Sequence, residues 1–475
     1  CCRKTLLGGP SGVVSVFIIS PSLWKQRQAE SEQLDRWAGR QNTHQLTNSL
    51  TPMITFLEHR VLEQIDILGE DIVSFLQALI RIPTVNPPGE AYDPCARLIG
   101  NWLGELGFDV NYIVARDHAD HSSAYPRVNV FGKLSGKMAM PALHLNGHTD
   151  VVPAGEGWTV DPFGGEIKDG RVYGRGACDM KGGIAAALFA VAAIHEAGIE
   201  LRGTVEFSGT VDEESGGFAG MAYLAQQGLI SPRRTSYVII PEPLNVDRIC
   251  LGHRGVYWFQ IDTIGHIAHG SMPFLGVNAV ELMGRVLNHI DTHLHPALSV
   301  RSTDMPVEPP EARRATLNIN GIHGGQTQAG VGTPCVADRC TAIFDRRFLK
   351  EESFETVRQE ISDILTYLKM RHTDFKAELS DLMVVHPVET DKETDLVQTT
   401  ARTIRDVLQT SPEYIASPGT YDHKHVFNIG HVDQCIAYGP GLLHLAHQPD
   451  EYCEIEHLIQ SCKVIALTAM RLLGT

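Results

Sequence analysis

Between residues 72 and 251 strand-like and helix-like segments take turns, and three of the strands hand on to a histidine or an acid. The apolar run 142–146 leads to His148 in G-H-T-D-V-V-P. The β-rich run 204–210 ends at Asp212-Glu213-Glu214, and the short β-branched run 237–240 ends at Glu242 in P-E-P. Helical patterns cover 72–81, 94–106, 182–197 and 217–227, with Asp93 placed to cap the second and Pro94 at its first position. Together with a strand at 128–134, these repeated β-α units predict an α/β fold: a doubly wound, mostly parallel sheet with helices on both faces. Sites in such sheets lie at the carboxyl ends of the strands. The acids and the histidine just named all fall there.

The pattern changes at about residue 252. Strands at 256–264, 315–322 and 335–344 and helices at 279–294 and 353–370 predict a small α+β unit, with a proline-rich irregular loop at 296–312. The α/β pattern returns with a helix at 395–408, a strand at 434–438 and a helix at 454–473. The expectation is a discontinuous α/β domain, 53–251 and 389–475, with a smaller domain inserted at 252–388 and a ligand cleft between them. Residues 1–52 are polar and patternless and read as a disordered extension, with the native start near Met53. An apolar patch at 13–20 behind Arg3 and Lys4 faintly resembles a signal segment, but no small-residue cleavage site follows cleanly.

Composition narrows the partners. A net charge of −16 argues against nucleic acid, which needs a basic face. No run approaches the roughly 18 apolar residues of a membrane span. The ten cysteines show no C-x-x-C pair and read as reduced thiols of a cytoplasmic protein.

His148 and Asp179, the latter in G-R-G-A-C-D-M-K-G-G, are of the types that hold a zinc-like ion. Asp150, two residues from the histidine, is placed to orient its ring. Glu213, Glu214, Glu242 and His447 complete a candidate set, and His444 competes with His447. Two ions bridged by one carboxylate need about three protein ligands each and a shared water. One bridging Asp, two histidines and two glutamates fill that need, and one glutamate of the adjacent pair is left over as a base. Singly, each residue has an ordinary structural reading, such as a hydrogen-bonded strand-end histidine or a solvated acidic turn. No phosphate-loop motif, G-x-S-x-G or H-E-x-x-H is present.

These segments resemble the family of dinuclear zinc hydrolases that contains acetylornithine deacetylase, succinyl-diaminopimelate desuccinylase, aminoacylase and the glutamate carboxypeptidases. The likeness runs over about 65–473, with five elements in the family's order. It implies that His148 and Glu242 bind the first metal, that Asp179 bridges, and that Glu214 and His447 bind the second. It further implies that Asp150 orients His148, that Glu213 is the general base, and that the Asp179–Met180 peptide is cis. The cofactor implied is a pair of Zn2+ ions, with Co2+ as an alternative.

The inserted domain then becomes a lid and dimerisation domain. In G-H-I-A-H-G-S-M-P-F-L-G-V-N-A, 265–279, His269 would stabilise the substrate oxyanion, supplied by the partner subunit in a homodimer. Asn278 is the substrate-binding asparagine of the same run. Arg347, in F-D-R-R-F, would clamp a substrate carboxylate. From the residues alone, His269 reads equally as a turn histidine, and Arg346 and Arg347 as edge-strand charges. The family often reads G-G-x-x-x-N-V-V-P further on, whereas G-G-Q-T-Q-A-G-V-G-T-P here has Val331 at the asparagine's place. The activity implied is hydrolysis of an N-acyl amino acid or N-acyl diamino acid carrying a carboxylate. A dipeptidase or carboxypeptidase on the same scaffold, or a non-catalytic metal- or peptide-binding relative, are the competing readings.

Overall fold

A computed structural model describes residues 54–325 and 334–475. The expected extension 1–52, the expected native start at Met53, and Val331 lie outside the described residues.

The main sheet has nine strands. Its path is Asp109–Val114, Val128–Leu134, Thr204–Thr210, Ala142–His148, Tyr237–Ile240, Cys435–Ala437, Arg248–His253 and Val388–Glu389, and Glu413–Ser417 joins Arg248–His253. The centre is parallel: Ala142–His148 runs parallel to both neighbours, and Tyr237–Ile240 to Cys435–Ala437. Toward the edges most pairs are antiparallel, so the sheet as a whole is mixed. The antiparallel strands Asp109–Val114 and Val128–Leu134 are joined by a loop; only parallel neighbours need a crossover helix.

Both faces are covered. The helices Phe56–Ile67, Gly69–Ile80, Tyr92–Glu105, Gly182–Glu196, Asp395–Leu408 and Ile455–Leu473 contribute to one continuous apolar cluster with the sheet. Met221–Gln226 and His423–Asn428 join a second cluster. Every residue from Gly182 to Ile194 is buried. A helix apolar on all sides belongs in a core or in a membrane. By length and composition alone Ala177–Glu196 comes near a membrane span, which amends the reading that no run does; its regular helix is only Gly182–Glu196, after the non-helical Asp179–Met180, and 94% of its most apolar stretch is buried within the fold.

Two other expectations shift. The helix read from Pro94 starts at Tyr92 and is preceded by Ala91 in left-handed backbone. Asp93 is therefore inside the first turn, where it favours the helix dipole and pairs with Arg97, and is not the cap. The helix read at 217–227 shortens to Met221–Gln226, because Gly216 and Gly217 take positive φ and turn the chain.

The second sheet is antiparallel, in the order Thr316–Gly324, Arg339–Phe348, Gly255–Ile264, Ala377–Val385. Ala279–His289 and Phe354–Arg371 pack on one face and build a separate core with Tyr257, Phe259 and Phe344.

Candidate metal centre

The centre forms where strands of the main sheet end. His148 closes Ala142–His148, Glu213 and Glu214 follow Thr204–Thr210 in a single 3-10 turn, and Glu242 follows Tyr237–Ile240. Asp179 lies just before the core helix, and its peptide bond to Met180 is cis. Gly183 lets that helix approach the Glu242 segment: a Cβ there would stand 1.9 Å from the Pro241 carbonyl oxygen. His447 arrives from the far end of the chain. Asp212 and His447 both take left-handed backbone, φ 61 and 65, at about 1–3 kcal/mol each for a non-glycine residue.

Two groups of metal-binding type share one residue. His148, Asp179 and Glu242 form the first, and Asp179, Glu214 and His447 the second. His148 Nε2 is 3.0 Å from Asp179 Oδ1 and 4.0 Å from Glu242 Oε1. His447 Nε2 is 3.6 Å from Asp179 Oδ2 and 3.1 Å from Glu214 Oε2. Ligands around a tetrahedral zinc stand roughly 3.4 Å from one another, so the spacing suits an ion on either side of Asp179. His148 Nδ1 faces the Asp150 carbonyl oxygen at 3.0 Å. A carbonyl only accepts, so Nδ1 carries the proton and Nε2 is left for a metal.

Charge tells the same story. Burial, with Asp179 beside it, pushes Glu242 well above the ordinary carboxylate range. Burial also raises Glu214, and pushes Glu213 up to about 8 against the pull of Lys424. The hydrogen bond to Glu214 pushes His447 up to about 9. Against burial, Asp150 and Asp179 hold the His148 value high. Glu213, Glu214 and Glu242 thus retain protons, while against burial His148 holds Asp150 and Asp179 low and the histidines gain protons, where a pair of divalent cations would balance the charge. The donor set fits such a pair.

Several supporting groups escape a linear reading. The Asp150 carboxylate stands 3.6 Å from His148 Nδ1 and does another job as well. It accepts the backbone N–H groups of Glu213 and Glu214, both at 3.1 Å, and the Asn86 amide at 3.0 Å. Buried Lys424 donates to Glu213 Oε1 at 2.9 Å. Glu451 accepts the N–H groups of Cys178 and Asp179 and is paired with Arg175. The D-E after His447 marks a conspicuous acid, but the partners of Glu451 and Lys424 are visible only in three dimensions.

The residues of the expected lid behave differently. His269 is exposed, and its described hydrogen bonds are local. Ser271 donates its backbone N–H to Nδ1 at 3.2 Å, and its Oγ lies 2.8 Å from the same nitrogen. A backbone N–H only donates, so Nδ1 is an acceptor and the ring proton sits on Nε2. Asn278 caps Ala279–His289, accepting from Val280 N–H, and its amide reaches Glu281. Arg347 is held along one edge by Asp345, Nε at 2.7 Å and Nη2 at 2.9 Å. No hydrogen bond or ion pair described for these three reaches the His148–Asp179–Glu214 cluster.

A mixed main sheet, a separate small sheet and two acid–histidine groups around a shared aspartate describe a metallohydrolase. Residues 144–471 match the peptidase family M20/M25/M40, and the chain belongs to that family. It is 29% identical over 426 residues to the N-formyl-4-amino-5-aminomethyl-2-methylpyrimidine deformylase of Bacillus subtilis, covering 83% of this chain and 93% of that one. It is 31% identical over 305 residues to the succinyl-diaminopimelate desuccinylase of Rhodospirillum centenum, covering 63% and 73%. Human carnosine dipeptidase 1 shares the fold with a TM-score of 0.70 at 19% identity, over 88% of this chain and 99% of that one. The protein is a hydrolase of amide C–N bonds in a metal-dependent family.

Proposed function

We propose that the protein deacylates a small N-acyl amine, with an N-acyl amino acid or N-acyl diamino acid as the substrate class and two Zn2+ (or Co2+) as cofactors. The observation that carries this reading is the sharing of Asp179 by two donor groups, His148 with Glu242 and Glu214 with His447. Such a pair of ions supplies Lewis acidity, lowering the pKa of water toward ~7 and offsetting charge on the scissile carbonyl. Glu213 takes a proton from the attacking water and returns it to the leaving nitrogen. Its raised pKa suits a carrier that must both accept and release a proton near neutral pH. Asp150 fixes the Glu213–Glu214 turn through its two backbone bonds. His269 donates Nε2–H to the carbonyl oxygen as it gains charge.

The exposed position of His269, with Ile267, Met272 and Phe274 exposed around it, supports supply of this histidine across a homodimer formed by the inserted domain. Arg347, oriented by Asp345, is the group for a substrate carboxylate, and Asn278 serves the lid as its helix cap. The eight described cysteines are unpaired, in keeping with a cytoplasmic protein. The deformylase relative makes formyl the first acyl group to test, followed by acetyl and succinyl. The deciding experiment is Glu213→Ala. It retains both metals by elemental analysis and loses several orders of magnitude in turnover; a variant that stays active removes Glu213 as the base.

A further inference from the structure

Gly216, two residues after Glu214, marks where the small sheet reaches the metal centre. A Cβ built on Gly216 would lie 2.9 Å from the Phe218 ring and 3.9 Å from Met383 Sδ. Met383 belongs to the edge strand Ala377–Val385 and stands directly across from Trp258. On its other side Trp258 stands across from Asp345, which holds Arg347. Side chains alternate along a strand, so Met383, Trp258, Asp345 and Arg347 share one face. It is the face opposite the Tyr257–Phe259–Phe344 core. Direct neighbours on such a face are about 5 Å apart and diagonal ones about 7–8 Å. Trp258 is 37% exposed and Phe218 45%. One exposed aromatic needs no explanation. Three large apolar side chains converging between an oriented arginine and the base-bearing turn have the make-up of a ligand wall: apolar surface with a few placed polar groups.

We propose that Trp258, Met383 and Phe218 form an apolar subsite that selects N-acyl amines bearing an aromatic or bulky aliphatic group. This rests on the amide-hydrolase reading above and adds the class of side group that the site accepts. The Arg347–Asp345 pair lies at one end of the wall and the Glu213–Glu214 turn at the other. A substrate whose scissile amide lies at the Glu213–Glu214 turn has its side group against this wall, on the side toward Arg347.

The test uses the zinc-loaded full chain with N-formyl and N-acetyl derivatives of phenylalanine and of glycine. The wild type favours the phenylalanine compounds by about tenfold or more in kcat/KM, within the range that apolar pockets achieve. W258A narrows that ratio to about threefold or less, and W258F restores most of it. A wild type without the preference, or a ratio unchanged in W258A, overturns the subsite. No turnover of any N-acyl amine would instead overturn the amide-hydrolase reading. The subsite is then read by calorimetric titration of N-acetylphenylalanine and N-acetylglycine into wild type and W258A. Aromatic-selective binding lost in W258A supports it, and equal binding of the two compounds overturns it. Light scattering separates a face covered by a second copy: a dimer lost in W258A with an unchanged substrate ratio overturns the subsite.

Discussion

Arg175 and Glu451 form a buried ion pair that joins the two ends of the candidate metal centre. Glu451 accepts the N–H groups of Cys178 and Asp179 at 2.9 and 3.1 Å, while Arg175 also donates to the His447 carbonyl at 3.3 Å. The pair thus sets the distance between the proposed bridging acid and the last proposed ligand. Glu451→Gln is expected to weaken metal binding by about tenfold to a hundredfold, as loss of a ligand's supporting bonds does. Metal retention against graded chelator measures this. Glu451→Ala leaves Arg175 buried and unpaired, and denaturant unfolding should show a loss of about 3–5 kcal/mol.

Lys424 governs the protonation of Glu213. Its cation opposes the burial that raises the Glu213 pKa. In K424M that value rises further, so the acid limb of the kcat/KM profile moves to higher pH. Each unit of movement removes a factor of about ten in rate on the acid side. K424R keeps the charge and most of the rate. A limb that stays in place in K424M would show that the lysine serves only packing.

Chelation makes stability depend on pH in a defined direction. A carboxyl whose folded-state pKa is raised binds its proton more tightly when folded; that stabilisation is present below about pH 4.5 and lost as pH rises through the folded value. Glu213, at about 8, and Glu242 behave so. His447, raised to about 9, loses its contribution in the same direction, from its unfolded value upward. The drop in Tm on metal removal should therefore be larger at pH 8 than at pH 5.5. Equal drops at the two values would mean that the cluster does not rely on cations for its charge balance.

Ser271 contacts Nδ1 of His269 twice, through its backbone N–H and its hydroxyl, and both contacts favour a proton on Nε2. In S271A the ring loses the hydroxyl contact to Nδ1 but keeps the backbone N–H. Histidine 15N spectra, assigned with an H269N variant, should then show His269 still mainly as the Nε2–H form, with a smaller share of it than in the wild type, because only the backbone N–H is left to hold Nδ1 as an acceptor. The matching kinetic expectation is a fall in kcat of roughly tenfold, the scale of a weakened oxyanion donor, with KM little changed. Unchanged spectra would assign the tautomer to the backbone contact alone.

The proposed ligands stand out in the primary structure because each closes a patterned strand or sits in a spaced glycine motif, as His148, Asp179 and Glu242 do. What holds them is less visible. Asp150, two residues from His148, invites a side-chain bond to the ring; the nearer contact is its carbonyl, and its carboxylate also fixes the Glu213–Glu214 turn. Lys424 and Glu213 are 211 positions apart, and local patterning carries no information on such a pair. Strands such as Ala142–His148 and Thr204–Thr210 were readable from periodicity, but Asp109–Val114, Arg248–His253, Ala377–Val385 and Glu413–Ser417 were not, nor was strand direction, so the antiparallel edges emerged only in the fold. Glycine conformation explains the helix that starts late, because Gly216 and Gly217 turn the chain where composition alone favours a helix.

The position of Cys435–Ala437 has a consequence for biosynthesis. This strand is made well after both of its neighbours, yet it lies in the interior of the sheet, between Tyr237–Ile240 and Arg248–His253. A nascent chain that has emitted the first four hundred residues holds an open slot there and lacks His447. Domains that are contiguous in sequence can fold as they emerge. Here the sheet closes, and the second donor group is completed, only once residues 435–447 have emerged, so a product that stops short of them is inert and exposes two unpaired strand edges for a chaperone or a protease to recognise.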